Sequence, residues 1–242
     1  MTPEEKARRI IDEKLCQAGW VIQDMNRLNL AVSLGVAVRE FPTSTGEVDY
    51  ALFIDGEPAG VVEAKREEAG QSITDVEIQS GRYAHSTFKW VRKDYFIRFA
   101  YEATDKLIRF TDYKDIKYRS RTVFSFHRPE TLRELLRQPD TIRNNMKHFP
   151  VLDETGFRKC QVNAIKKLEE SFADNRPKAL VQMATGAGKT FTAITASYRL
   201  LKYGKINRIL FLVDTKGLGE QAEREFLAYT PTDDPRSFSQ IY

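Results

Sequence analysis

The stretch Val48–Arg66, VDYALFIDGEPAGVVEAKR, constrains this chain more than any other. Apolar and polar residues alternate on both sides of Asp55-Gly56, a dipeptide that supplies the positive backbone angles of a tight hairpin, so two antiparallel strands are predicted. Charged residues stand at three strand positions: Asp49, Glu63 and Lys65. Glu63 and Lys65 are two apart and share one face, while Val62 and Ala64 take the other. The place of Asp49 depends on the parity of the loop. A two-residue loop pairs Ile54 with Glu57 and sets Asp49 opposite Val62, on the wrong face. A three-residue loop with Gly56 left-handed restores the parity and brings Asp49 diagonal to Glu63. An odd-numbered loop or a bulge is therefore predicted in this hairpin.

Two carboxylates and an ammonium gathered at a sheet edge have a chemical use. The carboxylates repel unless a cation lies between them or one stays protonated, and their hard oxygens suit Mg2+. A metal held by Asp49 and Glu63 lowers the pKa of a bound water and neutralises charge on a phosphate, with Lys65 orienting the water or steadying the transition state. That is the chemistry of phosphodiester hydrolysis. The alternative is a hairpin whose charged residues merely face solvent.

The chain around this hairpin reads as mixed α/β. Residues 3–18 predict a helix with Thr2 as N-cap and Pro3 at its first position, and Ile10, Ile11, Leu15 and Cys16 recur at the spacing of a core-facing stripe. Short strands are predicted at Trp20–Gln23 and Ala37–Phe41, and three more between Asp94 and Phe126. A helix capped by Ser72 or Thr74 and running to about Lys89 sets Gln79 and Tyr83, four apart, on one face. Pro129–Arg137 predicts a short helix. Residues 138–156 then lose periodicity and gather Pro, Asp and Asn, so a domain boundary is placed there, with 141–155 as linker.

With 242 residues, one or two domains are expected. No run reaches the length of a membrane span and no signal-peptide core opens the chain, which points to a cytoplasmic protein. Cys16 and Cys160 are solitary, so reduced thiols are expected. Net charge is +4, but residues 1–81 carry about −7, residues 82–147 about +8 and the remainder about +3. An acidic metal-binding region followed by a basic one suits a DNA backbone passing a nuclease centre.

Asp49 followed by Glu63-Ala64-Lys65 resembles the PD-(D/E)xK nuclease signature, with Val48 in place of its Pro. Gln79-Ser-Gly-Arg-Tyr83 is similar to the Q-x-x-x-Y element of restriction subunits of type I restriction-modification enzymes. The resemblance implies a nuclease-like central sheet over residues 1–140, with Gln79 and Tyr83 holding DNA or the reacting phosphate beside Asp49, Glu63 and Lys65. It also allows Glu13, on the first helix, to lend an acid to the site.

Farther on, Lys178–Met183 predicts a buried strand, Ala184-Thr-Gly-Ala-Gly-Lys-Thr190 a glycine-rich turn, and Phe191–Leu201 a helix. Backbone N–H groups and the helix dipole there receive phosphates, Lys189 reaches their far end and Thr190 ligates Mg2+. Thr185, Gly186, Ala187 and Gly188 form the cradle, and Met183 stands where a strict P-loop has its first Gly. MATGAGKT resembles motif I of superfamily 2 helicases and translocases, and Phe157-Arg-Lys-Cys-Gln161 is similar to their adenine-reading element, with Gln161 pairing the adenine edge of ATP. Arg208–Val213 predicts an apolar strand leading into DTKGLGEQA, which resembles motif Ia, with Thr215 where members often carry Arg.

Together these imply the R subunit of a type I restriction enzyme over essentially the whole chain. They imply a Mg2+-dependent DNA endonuclease followed, at residues 156–242, by an incomplete RecA-like P-loop domain of an ATP-driven translocase. Double-stranded DNA and subunits for methylation and sequence specificity are the implied partners. No acidic Walker B element follows the P-loop, so ATP turnover is not expected of these 242 residues alone. Two rival classes are an inactive fragment that binds DNA or ATP, and an ATPase motor whose front domain is a scaffold.

Overall fold

The computed structural model describes residues 3–43, 46–65 and 96–242. The predicted helix at 72–89, with Gln79 and Tyr83, and the Thr2 cap lie outside the described residues. The chain divides into two compact units, residues 1–139 and 140–242.

The alternation in the first unit builds a seven-stranded sheet among the described residues. Its strands are β1 (Val21–Asp24), β2 (Gly35–Thr43), β3 (Gly46–Ile54), β4 (Glu57–Ala64), β5 (Phe99–Ala103), β6 (Ile108–Asp112) and β7 (Arg121–Val123). Spatial order follows chain order. The β1–β2 and β4–β5 pairs are parallel and the other four antiparallel.

The central hairpin combines both turn devices. Ile54 pairs with Glu57 across a two-residue turn in which Asp55 (φ 51°) and Gly56 (φ 80°) are both left-handed, as the strand twist requires. Phe53 then opposes Pro58 while Leu52 opposes Gly60, which leaves Ala59 as the extra residue of a bulge. The predicted bulge is present, with an even-numbered loop. Beyond it Tyr50 faces Val62, and the same register carried one residue further sets Asp49 opposite Glu63 rather than diagonal to it. A Cβ on Gly60 would stand 2.7 Å from the Phe99 carbonyl oxygen, so β5 approaches β4 more closely there than a side chain allows.

Helix α1 (Pro3–Gln17) covers one sheet face, packing Ile11 and Leu15 in a core with Tyr50, Leu52, Val62, Phe99, Tyr101 and Phe110. Leu132 from α2 (Pro129–Arg137) completes it. Cys16, predicted to face this core, is exposed. The inward stripe runs through Ile11, Leu15 and Ala18, and Cys16 sits about 100° round the helix from Leu15. On the opposite face Val36, Val38, Ala51, Phe53, Val61 and Ala100 form a second core.

The second unit is helical. It contains α3 (Ile142–Asn145), α4 (Lys159–Ala173), α5 (Lys189–Lys202), α6 (Lys216–Ala228) and α7 (Phe238–Ile241). Within residues 141–155, Thr141 accepts from the Asn144 N–H at 3.1 Å to cap α3, and Leu152 packs with Val162 and Ile165 of α4. Two predicted strands are not formed. Residues 178–183 and 208–213 have no regular secondary structure, and Leu180, Leu210 and Leu212 are 94%, 80% and 80% exposed. A buried parallel strand needs a ladder partner for its N–H and C=O groups, and no strand lies among the described residues of this unit. The apolar runs have strand composition without the neighbours that would make them strands.

Candidate functional site

The register of the sheet brings the charged positions into one transverse row. Glu40 lies between the pairs Arg39–Tyr50 and Phe41–Val48, hence across from Asp49. Glu63 of β4 is the register partner of Glu102 of β5, which opposes Arg109 of β6. Val62 and Ala64 pack toward the α1 core, so Glu63 points to the other face. At Glu40 the backbone takes φ 48°, and alternation breaks there: Arg39 reaches Asp12 on α1, whereas Phe41 enters the opposite core. Asp49 sits beside this break.

The Asp49 carboxylate is held at both oxygens. Oδ2 accepts the backbone N–H of Ala64 at 2.8 Å, and Oδ1 accepts from Arg8 Nη2 at 3.1 Å. The Ala64 bond ties Asp49 to the Glu63–Ala64 peptide. The Lys65 N–H continues the ladder by donating to Ala103 O at 2.8 Å. Glu63 and Lys65 are both half-buried. Of the residues that the sequence assigned to the site, Asp49 lies on β3, Glu63 on β4 and Lys65 just past the end of β4; Gln79 and Tyr83 lie outside the described residues.

Helix α1 contributes charges that motif reading missed. Glu13 pairs with Arg9 at 3.2 Å on the exposed side of the helix, turned away from the sheet. The inward acid is its neighbour Asp12, which accepts from Arg39 at 2.9 Å and lies 2.8 Å from the Tyr50 hydroxyl. Hydrogen bonding to Asp12 raises the Arg39 pKa above its ordinary value, and burial with that same carboxylate raises that of Tyr50. Arg8, one turn earlier, was visible only as part of a charged run. Its spacing of four from Asp12 on an amphipathic helix is the signal that places both over the sheet.

Among the described residues no three His, Cys, Asp or Glu side chains gather into a metal cage. By donor type alone, carboxylates such as Asp49 and its register partner Glu63 suit Mg2+, which commonly takes one or two carboxylates and keeps several waters. Asp49 already draws a cation, the Arg8 guanidinium, as a partly buried carboxylate does.

In the second unit the residues of the glycine-rich turn precede α5, with Gly186 (φ 78°) and Gly188 (φ 83°) left-handed. Alternating backbone handedness of this kind aims successive N–H groups into one concavity. Lys189 Nζ lies 3.2 Å from Ala184 O, within the turn. Gln161 clamps it: its side-chain oxygen accepts the Arg158 N–H at 2.9 Å while its Nε2 donates to Ala187 O at 3.1 Å. A Cβ on Gly188 would meet that Nε2 at 2.2 Å. Both polar ends of the Gln161 amide are thus engaged within the protein. Thr190 follows Lys189 in the first turn of α5 and is half-buried, and Thr185 is exposed.

Comparison with known proteins places the chain. The family described as type III restriction enzyme, res subunit, matches residues 154–241, and the second domain of the type I restriction enzyme EcoKI endonuclease subunit matches residues 33–106. The EcoKI endonuclease subunit of Escherichia coli is 29% identical across 90% of this chain and 23% of its own length. Over most of its length the chain therefore resembles type I restriction enzyme endonuclease subunits. It spans under a quarter of that relative. The SsaAORF53P endonuclease subunit of Staphylococcus saprophyticus is 32% identical over 38% of this chain and 10% of its own, and the EcoAI subunit of Escherichia coli 41% over 27% and 8%. A solved fragment of an HsdR subunit of a type I restriction enzyme from Vibrio vulnificus aligns with 86% of this chain and 39% of its own, at 20% identity and a TM-score of 0.39. No helix among the described residues is long and apolar enough to cross a membrane.

Proposed function

We propose that residues 1–140 are a Mg2+-dependent DNA endonuclease of the PD-(D/E)xK class, joined through residues 141–155 to part of a RecA-like ATP-driven translocase at 156–242. The observation that supports this most is the Asp49–Ala64 hydrogen bond, which fixes one acid of the motif against the strand that carries the other acid and the lysine. Asp49 and Glu63 would hold the ion. Bound Mg2+ supplies a more acidic water and neutralises charge on the phosphate. Lys65, at the strand end, orients the attacking water or steadies the charge that builds on the phosphate oxygens. Gln79 and Tyr83 hold the DNA strand. The functional partners on this reading are double-stranded DNA and the methylation and specificity subunits of a type I complex, in the cytoplasm.

In the second unit, Thr185–Thr190 receive the phosphates of ATP, Lys189 contacts their far end and Thr190 takes Mg2+. Gln161 exchanges its bond to Ala187 O for the adenine edge. ATP binding lost in Lys189→Ala tests that role.

The decisive experiment is plasmid nicking in Mg2+. Glu63→Gln and Lys65→Ala are each expected to lower the rate by about 100-fold or more. Equal nicking by wild type and both variants overturns the nuclease reading and leaves a protein that binds DNA or ATP without cleaving. If the basic middle segment contacts about five phosphates, log K for DNA falls with log salt at a slope near −4 to −5. Salt-independent binding refutes that mode.

A further inference from the structure

The Arg8 guanidinium is shared between two acids of the sheet. Its Nη1 donates to Glu40 Oε1 at 2.7 Å and its Nη2 to Asp49 Oδ1 at 3.1 Å. The turn of α1 that carries it is tethered from below, because the Tyr50 hydroxyl lies 3.3 Å from the Arg8 carbonyl oxygen and 2.8 Å from Asp12. Glu40 adopts φ 48°, a conformation that residues other than glycine seldom take, and that position brings its side chain to Arg8. Backbone strain and a tethered helix turn thus converge on one ion triad.

The two ends of the triad differ in exposure. The Asp49 side chain is 18% exposed and Glu40 62%. A divalent ion at Asp49 would meet the Arg8 charge beside the same carboxylate, and like charges repel. Glu40 offers Arg8 a place to remain when Asp49 is taken.

We propose that Arg8 is a positioning residue that competes with the divalent ion for Asp49, and that Glu40 draws it aside when the ion binds. The guanidinium holds the carboxylate oriented beside Ala64 N–H, then yields Oδ1 and stays paired with Glu40. Arg8 and Glu40 therefore set the concentration of ion at which the centre fills. This rests on the metal-dependent reading of Asp49 and Glu63.

Calorimetric titration of the 242-residue chain with Mn2+ tests it. Arg8→Met is expected to tighten Mn2+ binding about fivefold, the removal of a competing charge. Glu40→Gln leaves Arg8 bound to Asp49 and is expected to weaken it. Opposite signs are the signature, since damage to the fold would weaken binding in both. Unchanged or weaker binding in Arg8→Met with an unchanged melting curve overturns the proposal, as does unchanged or tighter binding in Glu40→Gln. Asp49→Asn separates the two levels. Mn2+ binding that ignores this change overturns the nuclease centre and the Arg8 role with it. Binding that Asp49→Asn abolishes but Arg8→Met leaves alone overturns the Arg8 role only.

Discussion

The two units treat apolar sequence in opposite ways. In the first, every run with strand periodicity among the described residues found a neighbour, and side chains from both faces of the sheet closed into cores: Leu52 and Phe99 on one side, Val38 and Phe53 on the other, all 3% exposed or less. In the second, Lys178–Met183 and Arg208–Val213 have comparable composition yet form no ladder, and their leucines are largely exposed. Its cores are small clusters, Leu152 of a loop with Val162 and Ile165 of α4, and Ile194 and Tyr198 of α5 with Tyr229. Strand propensity is thus a statement about partners, and composition expresses it only where partners exist.

Matched buried ion pairs offer the largest test of this contrast. Arg98 in the first unit makes a bidentate pair with Asp112, at 2.8 and 2.7 Å, with both side chains 6% exposed. Arg199 in the second binds Glu169 at 2.5 Å and Pro150 O at 2.6 Å. Truncating one partner strands the other as a buried charge, at a cost of about 3–5 kcal/mol. Arg98→Met is expected to destabilise the sheet as a whole, read by the fluorescence of buried Trp20. Arg199→Met is expected to raise hydrogen exchange in α4 and α5 while Trp20 is unaffected. Loss of the Trp20 signal in Arg199→Met would mean that the units unfold together.

A pH test follows from His127, whose ring is packed beside Phe110 and lies 2.6 Å by Nδ1 from the Tyr101 hydroxyl. Burial, aided by the Arg121 charge, lowers its pKa to about 4. The unfolded chain, with an ordinary histidine pKa near 6.5, takes up a proton that the folded chain resists. The His127 contribution is therefore fully present above about pH 6.5 and is lost as pH falls toward 4, about 3 kcal/mol in all. Trp20 donates its indole N–H to His127 O at 2.9 Å and reports on the same site. Urea midpoints at pH 7, 6 and 5 should fall less steeply in His127→Gln than in wild type. Parallel slopes would show that this ring does not set the acid sensitivity of the sheet.

A smaller effect is expected at the hairpin. Gly56→Ala places a Cβ on a residue at φ 80° and should cost about 1 kcal/mol, without a clash, since nothing lies within 4 Å of that Cβ. Chemical denaturation measures it. A cost several times larger would mean that the turn, and not the bulge at Ala59, governs the register that sets Asp49 opposite Glu63.

That bulge shows how far the sequence could be read. Two acids on neighbouring strands, Asp49 and Glu63, made sense as a pair only if an extra residue reset the parity, and the structure carries one at Ala59. Strand identities in the first unit were equally legible, because alternation is local. What sequence could not give is which helical neighbours of an inward stripe meet the sheet. Glu13 and Cys16 were plausible by type, yet the helix turned Asp12 and Arg8 inward instead. Nor could it give the engagement of Gln161 with its own turn, which joins residues 26 apart. The strand readings at 178–183 and 208–213 failed for a third reason: a six-residue apolar run states that it is buried or paired in some context but not which residues pair with it.

The smallest expected effect bears most directly on the contrast. Leu212, at 80% exposure, has little apolar area to lose, so Leu212→Ala should change stability by less than about 0.5 kcal/mol. Leu52, fully buried in the sheet core, should cost about 2–5 kcal/mol in the same substitution. The ratio of the two, measured by urea denaturation under one set of conditions, states the difference between the units as a number. If Leu212→Ala costs as much as Leu52→Ala, the 208–213 run is covered in solution, and the unit that looks open closes on its own apolar segments.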